Sequence, residues 1–155
     1  MKKIIKISAI VLAGIAVLVA TFAVYNDISP VSWGLHRPVY TSGGYALKGF
    51  DAVSYFQGQP KQGEPQYVVN YGGSSWIFSS AENRDQFAAS PERFIPQFGG
   101  YCAKAISTGF TAAGDPTVFA IRDGKLFIFS SEEVKSEFLS DPDRFIASCA
   151  LHWKE

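Results

Sequence analysis

The feature that most constrains this chain is a pattern repeated 51 residues apart. Residues 76–97 read WIFSSAENRDQFAASPERFIPQ and residues 127–148 read FIFSSEEVKSEFLSDPDRFIAS, with 10 of the 22 aligned positions identical. Ser79 pairs with Ser130, Phe87 with Phe138, and Pro91 with Pro142. Like side-chain patterns dictate like local structure, so whatever the first stretch folds into, the second should fold into again.

Each copy reads as hairpin, helix, break and second helix. Residues 67–71 are rich in β formers, and Gly72-Gly73 turns them back into Trp76-Ile77-Phe78. The second hairpin sets residues 117–121 against residues 126–129 around Asp123-Gly124, a strong tight-turn signal. Ser79-Ser80-Ala81-Glu82 and Ser130-Ser131-Glu132-Glu133 fit a capping box, in which a serine hydroxyl accepts an orphan N–H and a glutamate three residues on reaches back. The two helices should run to Ala89 and Ser140. Pro91 and Pro142 then disfavour helix just before them but suit the first position of a new one. The last helix should cover residues 141–152. Upstream, Val53, Tyr55 and Phe56 suggest a short strand. The fold class is therefore α+β: two duplicated β-hairpin/helix units in one small domain.

Between the copies lies Gln97-Phe98-Gly99-Gly100-Tyr101-Cys102-Ala103-Lys104-Ala105-Ile106-Ser107. It holds one of only two cysteines and a Gly-Gly hinge, and it should enter a helix over residues 101–107.

The N-terminus sets location. Lys2, Lys3 and Lys6 precede an uncharged run over residues 7–25. At about 20 residues per span, such a run is long enough to cross a bilayer as a helix. The lysines should stay cytoplasmic and the rest be exported. Residues 1–25 thus read as a signal anchor or a cleaved signal peptide, residues 26–38 as a linker and residues 39–155 as the domain. The reading places the chain at a bacterial inner membrane, facing the periplasm, with the membrane as partner through the first helix. In the linker, Trp33 suits the membrane interface and His36 reads as a solvated histidine. The chain has 14 basic and 14 acidic side chains. A neutral balance argues against nucleic acid, which needs a basic face.

Gly49-Phe50-Asp51-Ala52-Val53-Ser54-Tyr55-Phe56, Phe98-Gly99-Gly100-Tyr101-Cys102-Ala103, Asp115-Pro116 and Asp123-Gly124-Lys125-Leu126-Phe127 resemble exported YHS-domain proteins. The resemblance covers most of residues 40–153. It implies a small YHS-like domain for which metal binding is an expectation. Metal-binding members carry cysteines at positions that align with Ser54, Ser79 and Asn83 here, and in the second copy with Ser130 and Val134. Without thiolates there, the inherited soft-metal site should be absent.

The remaining candidates are few. Cys102, Tyr101, Tyr55 and Asp51 are candidate ligand-binding residues around the central segment. A thiol near a helix N-terminus is more reactive, although free cysteine is also among the most buried residue types. Cys149 and His152 share a helix face, and with Cys102 they would form a Cys2His set suited to zinc or copper. A disulfide between the cysteines stays open. Asp51 and Asp115 read more readily as turn-closing residues than as catalytic carboxylates. No Ser-His-Asp order, HExxH, CxxC or phosphate loop is present. A binding module is the first expectation. A thiol redox protein using Cys102, with Cys149 resolving, is the second, and a structural or partner-binding domain the third.

Overall fold

The computed structural model describes residues 2–25 and 28–153, with side chains from residue 11 onward. Helix α1 spans Lys2–Tyr25. Of its described side chains all but Ala23 are exposed. Among the described residues no helix is long and apolar enough to cross a membrane. The uncharged run begins at residue 7, so part of it lies outside the residues described with side chains.

The rest is mixed α and β, in small sheets. Strand β1 (Ser29–Pro30) pairs with β6 (Phe110–Thr111). Strands β2 (Thr41–Ser42), β3 (Tyr45–Ala46), β4 (Glu64–Tyr71) and β5 (Ser74–Phe78) form a four-stranded sheet in the order β2-β3-β5-β4. Helices α2 (Ala81–Ala89) and α3 (Pro91–Phe94) follow, then α4 (Ala103–Ser107). The hairpin of β7 (Asp115–Arg122) and β8 (Lys125–Phe129) leads into α5 (Glu132–Ser140) and α6 (Pro142–His152). The helix ends at Ala89 and Ser140, the prolines at the first helical position, and both hairpin turns lie where the sequence places them.

The 51-residue correspondence reaches further back than the similarity in sequence does. Leu47, Lys48 and Gly49 have φ of 50°, 51° and 83°, while Phe98, Gly99 and Gly100 have 55°, 62° and 83°. The Asp51 N–H donates to the Lys61 carbonyl at 2.9 Å, and the Cys102 N–H to the Ala112 carbonyl at 3.0 Å. Both long strands bulge at matching places, between Glu64 and Val68 and between Asp115 and Phe119. Backbone geometry thus matches at these points 51 residues apart, while other segments differ: a 3-10 turn at Ser54–Gln57 answers to the helix at Ala103–Ser107. Asp51 in the first stretch stands where Cys102 stands in the second.

Two aromatic cores follow the same plan. Phe87 packs on Trp76 and Phe78, at ring distances of 5.2 and 5.0 Å. Phe138 packs on Phe127 and Phe129, at 5.8 and 5.1 Å. Leu126 and Ile128 of the second hairpin enter the first core. The buried Tyr55 hydroxyl donates to the Pro116 carbonyl at 2.8 Å, a further tie between the halves.

Three local expectations are corrected. Residues 53–56 do not form a strand; a 3-10 turn, Ser54–Gln57, occupies that place. The Asp51 carboxylate there accepts the Val53 and Ser54 N–H groups, an arrangement that closes a turn and opposes an extended path. The capping serines are Ser80 and Ser131, one residue later than expected: their hydroxyls accept from the Asn83 and Val134 N–H groups. Finally, the expected linker, residues 26–38, carries structure of its own from residue 28 on, residues 26 and 27 lying outside the described residues, and it continues to residue 40. Residues 28–40 form β1, a 3-10 turn at Val31–Trp33, and a strap that crosses the central Gly-Gly loop.

Candidate functional site

The strap and the loop fit together through backbone. The Tyr40 N–H donates to the Gly99 carbonyl at 2.9 Å. A Cβ on Gly99 would lie 2.0 Å from the Pro38 oxygen, so only glycine allows the strap to lie this close. The Gly99 φ of 62° makes the same demand independently.

Aromatic rings fill the crossing. His36 packs on Trp153 at 4.8 Å between centroids and meets Tyr101 edge-on at 6.1 Å. Tyr40 lies 5.3 Å from Tyr101, and Phe98 lies 6.1 Å from Trp153. Within this box His36 Nδ1 is buried and makes no hydrogen bond to the described protein. A buried polar atom left in that state costs about 1–3 kcal/mol. His36 is therefore not the solvated histidine of the sequence reading, and it is the site residue that reading missed. A lone histidine among turn formers gives no signal of its own. Its place is fixed by Trp153, over a hundred residues away in sequence.

Clefts open on both sides of the strap, and His36 lines each. The larger, about 590 Å³, lies between Pro38, Val39, Ile95, Pro96, Phe98 and Trp153, with Glu92 and Gln97 also in its lining. The smaller, about 390 Å³, lies between the strap and the end of α1, with Tyr101, Arg37 and Ala23 among its walls.

The other sequence candidates lie elsewhere. Tyr101 lines the smaller cleft, whereas Tyr55, Asp51 and Cys102 line neither. Asp51 is fully buried. Its Oδ1 accepts the Val53 and Ser54 N–H groups at 2.9 and 3.3 Å. Its Oδ2 accepts the Ser79 N–H at 2.9 Å, the Ser79 hydroxyl at 2.6 Å and the Asn83 amide at 2.6 Å. Ser54, Ser79 and Asn83, the positions aligned with the cysteines of metal-binding YHS modules, thus meet around one carboxylate. The donors point inward, at oxygen lone pairs that a cation would need. The arrangement satisfies a buried carboxylate and ties the residue after β5, helix α2 and the 3-10 turn together.

Cys102 is also buried, at 2% exposure, and its thiol lies 3.5 Å from the hydroxyl of exposed Ser130. It stands just before α4, a helix of five residues instead of the seven expected, and makes no side-chain cap. The Cys149 thiol lies 3.2 Å from the Ala103 carbonyl, and burial, helped by Cys102 nearby, pushes its pKa up to about 12. Both cysteines are free. His152 is exposed on the last turn of α6, against Gly109. Among the described residues no group of three or more histidine, cysteine or acidic side chains is placed to hold a metal ion, so Cys102, Cys149 and His152 do not form the expected Cys2His set.

Comparison with family models, with curated proteins and with solved structures finds no match.

Proposed function

We propose that this chain is a membrane-tethered, periplasm-facing YHS-like binding module, built by duplication of a 51-residue unit. Its ligand is a small, largely apolar molecule with one hydrogen-bonding group, held in the larger cleft. One observation carries the reading: His36, whose Nδ1 is buried with no hydrogen-bond partner among the described residues, lines a cleft together with Trp153, Phe98, Pro96 and Ile95. Small-molecule sites are of this kind, apolar walls with a few placed polar groups. Matching φ angles and hydrogen bonds at points 51 residues apart support duplication, and the exposed apolar side chains of α1 support the tether.

The small-ligand form of the reading is favoured over the metal form. A soft metal needs thiolates or imidazoles gathered together, and the residues that meet around Asp51 present N–H and O–H donors instead. A thiol redox role is also less well supported. Thiolate attack requires access, and Cys102 and Cys149 are both buried; burial also holds the resolving thiol, Cys149, in its protonated form.

The test is thermal melting of the full chain in detergent micelles with indole, phenol, zinc and copper(I). A ligand at a hundred times its Kd adds about 2.7 kcal/mol, which raises Tm by several degrees. We expect indole or phenol to raise Tm in the wild type and not in Trp153→Ala. No rise with any probe, or an equal rise in Trp153→Ala, would overturn the cleft assignment.

A further inference from the structure

The smaller cleft differs in character from the larger and asks for a different ligand. One wall is the last turn of α1, at Ala23 and Val24, continued by Leu35 on the strap. Ser29, His36, Arg37, Thr41 and Tyr101 are among the polar residues of the same lining. Arg37 donates to the Thr41 hydroxyl at 2.9 Å, and its guanidinium pairs with no carboxylate among the described residues. No acidic side chain lines this cleft among the described residues. Apolar residues and the Arg37 cation thus share one cleft, next to a helix whose described side chains are almost all exposed and mostly apolar.

We propose that this cleft binds a phosphate-type anion carried on an amphiphile: the headgroup of an anionic membrane lipid, with its acyl chains along α1. The inference rests on the tether in the proposed function and goes beyond it. In a tethered chain the end of α1 lies at headgroup depth, where Arg37 meets lipid phosphate. Guanidinium matches phosphate in charge and in fork geometry, and its hydrogen bonds to phosphate are the stronger, charge-assisted kind. Trp33, 67% exposed beside the same strap, has the indole preference for that depth.

The experiment is native mass spectrometry of the full chain released from mixed phosphatidylglycerol and phosphatidylcholine bilayers. We expect one phosphatidylglycerol retained per chain, preferred over phosphatidylcholine by roughly tenfold, because both carry a phosphate but the choline cation cancels the net charge that Arg37 attracts. Arg37→Gln should abolish the preference and Arg37→Lys should keep part of it. Arg37 is exposed, so both variants should melt as the wild type does. Equal retention of the two lipids by the wild type, or an undiminished preference in Arg37→Gln, would overturn the proposal. Displacement of the bound lipid by millimolar glycerol 3-phosphate would overturn the lipid assignment and leave an anion site. Alkaline carbonate extraction separates the two readings. Release of the chain from membranes sinks the tether, whereas a chain that stays embedded but holds no lipid sinks this inference alone.

Discussion

At the scale of single residues, Asp51 and Cys102 show one backbone position put to two uses. Asp51 gathers five donors from three elements, whereas Cys102 keeps one weak contact, to Ser130. The difference predicts unequal tolerance. Asp51→Asn turns one acceptor into a donor facing donors, so it leaves buried groups unpaired. We expect a loss of about 3 kcal/mol and a Tm lower by some 10 °C or more. A Tm within 2–3 °C of wild type, roughly half a kcal/mol, would show that the carboxylate is not the organising group. Cys149 gives a pH prediction. Its pKa rises from an ordinary 9.0 to about 12 in the folded state, because burial disfavours the thiolate. Between those values the unfolded chain has lost the proton that the folded chain keeps. The stability from this group is therefore full below about pH 9 and fades as pH climbs towards 12. Tyr55, raised by burial and then by Asp115 and Asp51, adds a loss of the same sign above pH 10.0. Urea unfolding at several pH values should show a shallower alkaline fall in Cys149→Ala than in the wild type, whatever the variant loses at neutral pH.

At the scale of elements, the strap over the Gly-Gly loop is the piece on which both clefts depend. Gly99→Ala should lift it, because the added methyl group meets the Pro38 carbonyl. Gly43 is the control: its φ is also 62°, yet a Cβ there meets nothing within 4 Å. Gly43→Ala should cost only the left-handed strain, about 1 kcal/mol. Gly99→Ala should cost more and also expose residues 34–40 to protease. Equal losses in the two variants would remove the strap from the account. Elements with local signals were legible in the sequence. Proline at a helix start, Asp-Gly at a turn and serine before a helix each act over a few residues, so both helix pairs and both hairpins were foreseen. The strap was not, since its partner, the Gly99 carbonyl, lies some sixty residues away in sequence. The extended path at residues 53–56 was misread for a related reason. Val53, Tyr55 and Phe56 favour strands, but the Asp51 side chain captures two N–H groups and bends the chain.

At the scale of the molecule, the repeated sequence pattern accounts for the paired hairpins and helices but not for the site. The similarity in sequence fades before residue 76, because Leu47-Lys48-Gly49 and Phe98-Gly99-Gly100 share a backbone shape more than side chains. The pairing of Asp51 with Cys102 was hidden there. The two halves diverge most where they touch other parts of the chain. The first half sets its equivalent of the Gly-Gly loop against its own sheet, while the second half sets Gly99 against the strap. That asymmetry puts His36, Tyr101 and Trp153 together on one half only.

The central claim is that His36 meets a ligand in the larger cleft. The chain has two histidines, so a sample labelled with nitrogen-15 at histidine gives a readable spectrum, with His152 as the internal control. We would add indole to the full chain in micelles and follow both imidazoles. The account predicts that a His36 nitrogen resonance moves saturably, that His152 stays in place, and that Trp153→Ala abolishes the movement. A His36 resonance that does not move, or one that moves equally in Trp153→Ala, would contradict it.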